Sequence, residues 1–144
     1  MVASHIPLHY SMRIVEGFFS LTHIRNSGVA FGLFARSEVE YKAYFFVAIS
    51  LIAIGAILVF FHQTPSSKKP VLCGLILIFS GAIGNLIDRV VYKEVIDFLD
   101  FFYQNHHWPA FNIADSCITI GVGFMIYDLF HQEKPQDSIS PSEN

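Results

Sequence analysis

Three stretches of this chain lack the apolar and polar alternation that marks an amphipathic element. Residues 43–61 (AYFFVAISLIAIGAILVFF) carry no charge and show no polar face at helical spacing. At 1.5 Å per residue they make about 28 Å of helix, close to the roughly 30 Å hydrocarbon core of a bilayer. Residues 71–90 repeat the pattern and stay uncharged until Asp88 and Arg89. Residues 110–130 are apolar again, with Asp115 near the start and Asp128 near the end. The pattern predicts three transmembrane helices.

Between the spans the pattern changes. Residues 62–70 (HQTPSSKKP) form a polar turn at one membrane face. Residues 91–109 lie on the opposite face and contain FLDFFYQNHHWP, in which Phe98, Phe101, Phe102 and Trp108 beside His106 and His107 predict a short helix in the headgroup zone. Ahead of the first span, residues 13–26 (RIVEGFFSLTHIRN) are rich in β-branched and aromatic residues and read as one or two strands around Gly17. An apolar turn bracketed by Gly28 and Gly32 follows. Residues 132–144, rich in Ser, Pro and acids, read as a disordered tail. The expected fold is an α-helical membrane bundle with a small β-rich extramembrane element, residues 1–40, resting on the membrane surface. Residues 1–131 then make a single membrane-embedded domain.

Composition supports this reading and narrows it. A chain of 144 residues is one domain, and 15% charged residues is well below the roughly 25% of soluble domains. Mean hydropathy is +0.47. A net charge of −3 excludes binding to nucleic acid by net charge, and two Cys make no disulfide framework. Cys73 and Cys117 read as small apolar helix residues. The seven His show no spacing that ligates a metal, so neither metal nor cofactor is expected. Residues 1–9 lack the basic and apolar regions of a cleavable signal peptide. Counting basic residues by face puts Arg13, Arg25, Arg36, Lys42, Arg89 and Lys93 on the N-terminal side, against Lys68, Lys69 and Lys134. By the positive-inside rule alone the N-terminal side is cytoplasmic.

Candidate chemistry sits where ionisable groups meet apolar helix. Asn85-Leu86-Ile87-Asp88-Arg89 ends the second span, Asp97 follows, and Asn112-Ile113-Ala114-Asp115 begins the third. On a helix, Asn-x-x-Asp sets amide and carboxylate on one face. Two Asp from different elements sharing a proton acquire split acidities, so one activates water and the other polarises a peptide carbonyl. Asp88 and Asp97 would lie on opposite faces of one continuous helix, so the chain must leave the helix after Asp88. A single Asp at a membrane helix end is ordinarily a cap or interfacial anchor, and Asp128 is read so. Tyr127-Asp128 matches half of the presenilin-type signature without its Gly-x-Gly-Asp, and Ser116 lacks a Gly-x-Ser-x-Gly setting. The residues alone leave three readings open: an aspartyl hydrolase, a small transporter or proton-handling subunit, and a structural membrane subunit.

Four stretches taken together resemble bacterial lipoprotein signal peptidase (signal peptidase II). They are Asn26-Ser27-Gly28-Val29-Ala30-Phe31-Gly32, Gly81-Ala82-Ile83-Gly84-Asn85-Leu86-Ile87-Asp88-Arg89, Val95-Ile96-Asp97-Phe98 and Phe111-Asn112-Ile113-Ala114-Asp115-Ser116. They stand in that family's order, and the similarity runs over residues 10–131. The resemblance implies an aspartyl endopeptidase of the bacterial inner membrane that removes signal peptides from prolipoproteins, cutting before a Cys that carries diacylglycerol. It implies Asp97 and Asp115 as the catalytic pair, with Asn26, Asn85, Asp88, Arg89 and Asn112 supporting or lining the site. The implied partners are diacylglyceryl-prolipoproteins and membrane lipids, and the implied state is a monomer.

The family's site faces the outer leaflet with both termini cytoplasmic. That reverses the orientation given by counting charges, makes residues 1–40 periplasm-facing and leaves the tail cytoplasmic. Arg25, Arg36 and Arg89 are then expected to be paired within folded structure. The aromatic segment 98–108 is expected to act as a flap over the peptide. The family has four transmembrane helices where this chain shows three. Residues 1–7 align with the connection after the family's first helix, so the expectation is a start that is internal to the full protein.

Overall fold

The computed structural model describes residues 2–28 and 39–131. A one-turn helix, α1 (Val2–His5), precedes two strands, β1 (Ser11–Val15) and β2 (Phe19–Asn26). Two long helices follow, α2 (Val39–Gln63) and α3 (Lys69–Tyr92). Strands β3 (Val95–Tyr103) and β4 (His106–His107) come next, and α4 (Ile113–Phe130) closes the described chain. The predicted turn after Gly28, Arg36 and the tail 132–144 fall outside the described residues.

Three helices are long and apolar enough to cross a membrane: Tyr41–Gln63, Lys69–Tyr92 and Ile113–Phe130. Their side chains mostly face outward. Only 6% of the most apolar stretch of α2 is buried within the protein, as expected of a helix whose solvent is lipid. With lipid tails as apolar as Leu, close backbone approach and polar contacts hold such helices together. Here α3 is central, with α2 and α4 packed on it. Glycines set the α3–α4 distance: a Cβ at Gly74 would stand 2.7 Å from the Gly121 carbonyl oxygen, and one at Gly121 2.6 Å from that of Gly74. Gly81 meets the Ala114 carbonyl in the same way. That contact is one turn before Asn85 and one residue before Asp115, so it fixes the separation of two candidate site residues.

The extramembrane element is a four-stranded antiparallel sheet in the order β1-β2-β3-β4. The predicted strand pair around Gly17 is present, with Gly17 at φ +74° in its turn. The aromatic segment after α3 differs from expectation: it is β3 and β4, not a headgroup-zone helix. Val95–Tyr103 combines β-branched and aromatic side chains suited to a pleated sheet, and β2 supplies the ladder that a helix would otherwise satisfy internally. Register pairs Ile24 with Asp97 and Asn26 with Val95. Phe101 stacks on Phe19 at 4.8 Å and on Phe111 at 5.9 Å between ring centroids. Its ring is therefore packed into the sheet, which counts against Phe101 as part of a mobile flap.

Candidate active site

Each element ends where a polar group is needed. Helix α3 stops at Tyr92 because Lys93 adopts a left-handed conformation, φ 66°, and its N–H bonds back to the Arg89 carbonyl. The chain thus leaves the helix shortly after Asp88, as the spacing of Asp88 and Asp97 requires, and turns into β3. Asp88 fastens that turn: its Oδ2 accepts the Ile96 N–H at 3.1 Å. The neighbouring residue, Asp97, is carried into the interior and is 2% exposed.

Helix α4 begins with a reciprocal capping box. Asn112, in extended conformation, accepts the Asp115 N–H on Oδ1 at 3.0 Å, and Asp115 Oδ2 accepts the Asn112 N–H at 3.2 Å. This corrects the expectation that Asn112 and Asp115 share a helical face: Asn112 precedes the helix and caps it. For Asn85 and Asp88, which lie within α3, the expectation holds.

The side chains then form one connected chain of hydrogen bonds. Asn26 Nδ2 donates to Asp97 Oδ2 at 2.9 Å, while its Oδ1 accepts the Gly28 N–H at 2.8 Å. Asn112 Nδ2 donates to Asp97 Oδ1 at 2.9 Å and to Asn85 Oδ1 at 3.2 Å. Asn85 Nδ2 donates to Asp115 Oδ1 at 2.8 Å. Every amide orientation is fixed by this pattern, because reversing one would set donor against donor or acceptor against acceptor. Asp97 and Asp115 are thus linked through two asparagines, without a hydrogen bond between the carboxylates.

The electrostatics follow from burial. Loss of solvent pushes the Asp97 carboxyl above its ordinary value, the hydrogen bonds from Asn26 and Asn112 oppose this, and the charges of Asp115 and Asp88 add to it. Arg89 is the balancing charge. Its guanidinium lies within the field of Asp115, Asp88 and Asp97. It donates to the Asn85 carbonyl at 3.2 Å and sits 5.6 Å from the centroid of the Phe46 ring. It therefore neutralises the cluster without a direct bond to any of the three carboxylates. Arg25 is exposed on β2 and, among the described residues, forms no ion pair, contrary to expectation.

All seven residues singled out from the sequence come together here: Asn26, Asn85, Asp88, Arg89, Asp97, Asn112 and Asp115. Phe46, which carries the guanidinium and packs 3.0 Å from where a Cβ on Gly28 would lie, was not singled out. Nothing marks it within an uninterrupted apolar span.

Known proteins match the chain along nearly its whole described length. The family described as Signal peptidase (SPase) II matches residues 1–131. The lipoprotein signal peptidase of Syntrophus aciditrophicus (strain SB) is 45% identical over 133 residues, covering 92% of this chain and 83% of that relative. That of Geobacter metallireducens is 44% identical over 136 residues, covering 94% and 83%. Among solved structures, a bacterial membrane enzyme determined by the in meso method at 1.9 Å resolution superposes with a TM-score of 0.78 at 35% identity, covering 92% of this chain and 82% of that one. A second, at 2.3 Å resolution, gives 0.78 at 33% identity. Family match, relatives and fold agree, and the chain belongs to the signal peptidase II family of aspartic peptidases.

Proposed function

We propose that this protein removes signal peptides from prolipoproteins by aspartyl catalysis at the membrane surface, cutting before a diacylglyceryl-modified Cys, with Asp97 and Asp115 as the catalytic pair. One observation carries the reading. Two carboxylates from different elements, β3 and α4, are held in one amide network by Asn112 and Asn85. That network lies where α3 ends, α4 begins and the sheet adjoins them, so a scissile bond can reach it while acyl chains stay in the bilayer.

In this reading Asp97, the more deeply buried of the two at 2% exposure, is assigned as the acid and Asp115 as the base. Asp115 takes a proton from water as the water oxygen bonds to the scissile carbonyl carbon, and Asp97 gives its proton to the carbonyl oxygen. As the tetrahedral intermediate collapses, the C–N bond breaks, the proton on Asp115 passes to the amine nitrogen, and a hydroxyl proton returns to Asp97. Both residues end as they began. Asn26, Asn85 and Asn112 orient the pair, Asp88 positions β3, and Arg89 offsets the charge.

The orientation that serves this chemistry sets the sheet and the Asp pair at the outer face of the bacterial inner membrane. Lys68 and Lys69 then face the cytoplasm. Enclosure of Arg89 among the carboxylates supports this, because a basic residue neutralised within a site does not count toward the positive-inside bias.

The test is Asp97→Asn and Asp115→Asn, each assayed on a diacylglyceryl-modified prolipoprotein peptide. Each is expected to lose about 10²–10⁴-fold in kcat, the range of a positioned acid or base. Normal cleavage by either variant overturns the pair. A transporter using the same carboxylates would cleave nothing and instead show pH-dependent flux in liposomes.

A further inference from the structure

Strand β2 is irregular just ahead of the site. Leu21 pairs with Leu99 and Ile24 pairs with Asp97, so Thr22 and His23 together stand opposite Phe98. The extra residue makes a β-bulge. Both of its side chains are buried, at 2% and 3% exposure, which breaks the alternation of a strand. Beyond the bulge Asn26 pairs with Val95, which sets it diagonal to Asp97 and on the same face. The Asn26–Asp97 hydrogen bond at 2.9 Å depends on that register.

An uninterrupted ladder would seat a different side chain there. Continued from Leu21 and Leu99, it would pair His23 with Asp97 and Arg25 with Val95. A slip of one residue exchanges the two faces of a strand. Asn26 would turn away from Asp97, and the Arg25 guanidinium would take its place. A cation beside Asp97 favours its ionised form over the acid that the proposed mechanism needs.

The bulge is held by the segment ahead of β1. The His23 N–H donates to the Tyr10 carbonyl at 3.1 Å, and the His9 N–H donates to the His23 carbonyl at 2.8 Å. The Thr22 hydroxyl accepts from the Ser11 hydroxyl and donates to the Tyr10 carbonyl. The imidazole reaches further. Its Nδ1 faces the Ile6 carbonyl at 2.8 Å and therefore carries the proton. Its Nε2 is buried and meets no partner among the described residues. A bare buried nitrogen is a cost that an apolar side chain would avoid. The bond to Ile6 is what the imidazole supplies in return.

We propose that His23 is a positioning residue: its bond to Ile6 fixes the bulge, and the bulge selects Asn26 rather than Arg25 as the neighbour of Asp97. The inference deepens the catalytic reading of Asp97 and rests on it.

Register and turnover are measured separately. Arg25→Cys with Ile96→Cys is expected to cross-link, because the two positions are opposite, and Arg25→Cys with Val95→Cys is not. Peptide mass mapping identifies the bridge. Adding His23→Leu is expected to reverse the preference. His23→Asn, whose amide can donate where Nδ1 does, is expected to keep it. His23→Gln is milder than His23→Leu but sets its amide at the Nε2 position, and it is expected to behave as His23→Leu does. On the lipidated prolipoprotein peptide, His23→Leu and His23→Gln are expected to lose about 10–100-fold in kcat with KM within about twofold, as a misplaced group at the reacting centre does. His23→Asn is expected to stay within about threefold. Arg25→Asn added to His23→Leu returns an amide opposite Val95 and is expected to restore about tenfold. An unchanged register in His23→Leu and His23→Gln overturns the proposal, as does an equal loss of kcat in His23→Asn. Absence of cleavage by the wild type would instead overturn the catalytic reading, and the cross-links would still report whether His23 sets the register.

Discussion

Helix α4 carries a carboxylate near each end, and the two are satisfied in opposite ways. Asp128 faces an ammonium at 3.0 Å. Asp115 faces an amide and a backbone N–H, at 2.8 and 3.2 Å. An ion pair sets a full countercharge against its carboxylate. Neutral amide and backbone donors fix the position of a carboxyl by geometry, without setting a countercharge against it. The network end of the helix is therefore held in place with no countercharge bonded to it, which is the setting that the proposed proton exchange with a substrate calls for. Two similar aspartates on one helix are thereby given different capacities by their neighbours.

The largest expected effect breaks the comparison at its active end. Asp115→Asn should remove about 10²–10⁴-fold of kcat, whereas Asp128→Asn should leave kcat within about twofold, both measured on the same lipidated peptide. Asn112→Ala comes next. It deletes the α4 cap and leaves Asp97 Oδ1 and Asn85 Oδ1 without their donor. Caps contribute about 0.5–2 kcal/mol and an orphaned buried group costs about 1–3. A combined loss of about 2–4 kcal/mol should appear in thermal unfolding in detergent, with kcat down about 10²-fold from the displaced carboxylates. Loss of stability without loss of kcat would show that Asn112 is a cap and nothing more.

The pH dependence sharpens the same contrast. Burial pushes the Asp97 carboxyl above its ordinary value, and the charges of Asp115 and Asp88 add to it. Between the unfolded carboxyl value, near 3.8, and the higher folded value, the folded state holds more protons than the unfolded one. Stability from this group is accordingly complete at acid pH and falls as pH rises through that window, and Asp97→Asn should abolish the slope. In kcat/KM the same group sets the alkaline limb. Asp88→Asn removes one of the charges that raise Asp97, so the limb should move to lower pH. The amide can still accept the Ile96 N–H, which keeps β3 in place. An unmoved limb in Asp88→Asn would mean that Asp97 is not the acid.

What the chain discloses in advance follows from contrast. Asn85, Asp88, Arg89 and Asp115 stand out because each interrupts or borders an apolar run long enough to cross a bilayer. Asp97 stands out less, and the pairing that buries it is invisible locally. Strands β2 and β3 are separated by two whole membrane helices, so no turn signal links Asn26 to Val95. Without that partner, the aromatic run Phe98–Phe102 reads as an interfacial helix. The capping box is a different case: Asn112-x-x-Asp115 has the spacing of a helix start, but it also has that of a shared helical face. Only the extended conformation at Asn112 decides between them. Phe46 has no signal at all, since one Phe among many in α2 gives no hint that a guanidinium will rest on it.

The smallest expected effect is the most discriminating. Lys68 is 40% exposed and Asp128 18% exposed, so the pair lies at an interface where water and headgroups compete for both charges. Such pairs contribute about 0–1 kcal/mol, and a double-mutant cycle over Lys68→Gln and Asp128→Asn should return a coupling in that range. A coupling of several kcal/mol, or a fall in kcat comparable to that of Asp115→Asn, would mean that Asp128 belongs to a second functional site. The two ends of α4 would then no longer differ in kind. A small coupling with unchanged kcat would leave partner chemistry, rather than position at a helix end, as what separates a catalytic carboxylate from an anchoring one.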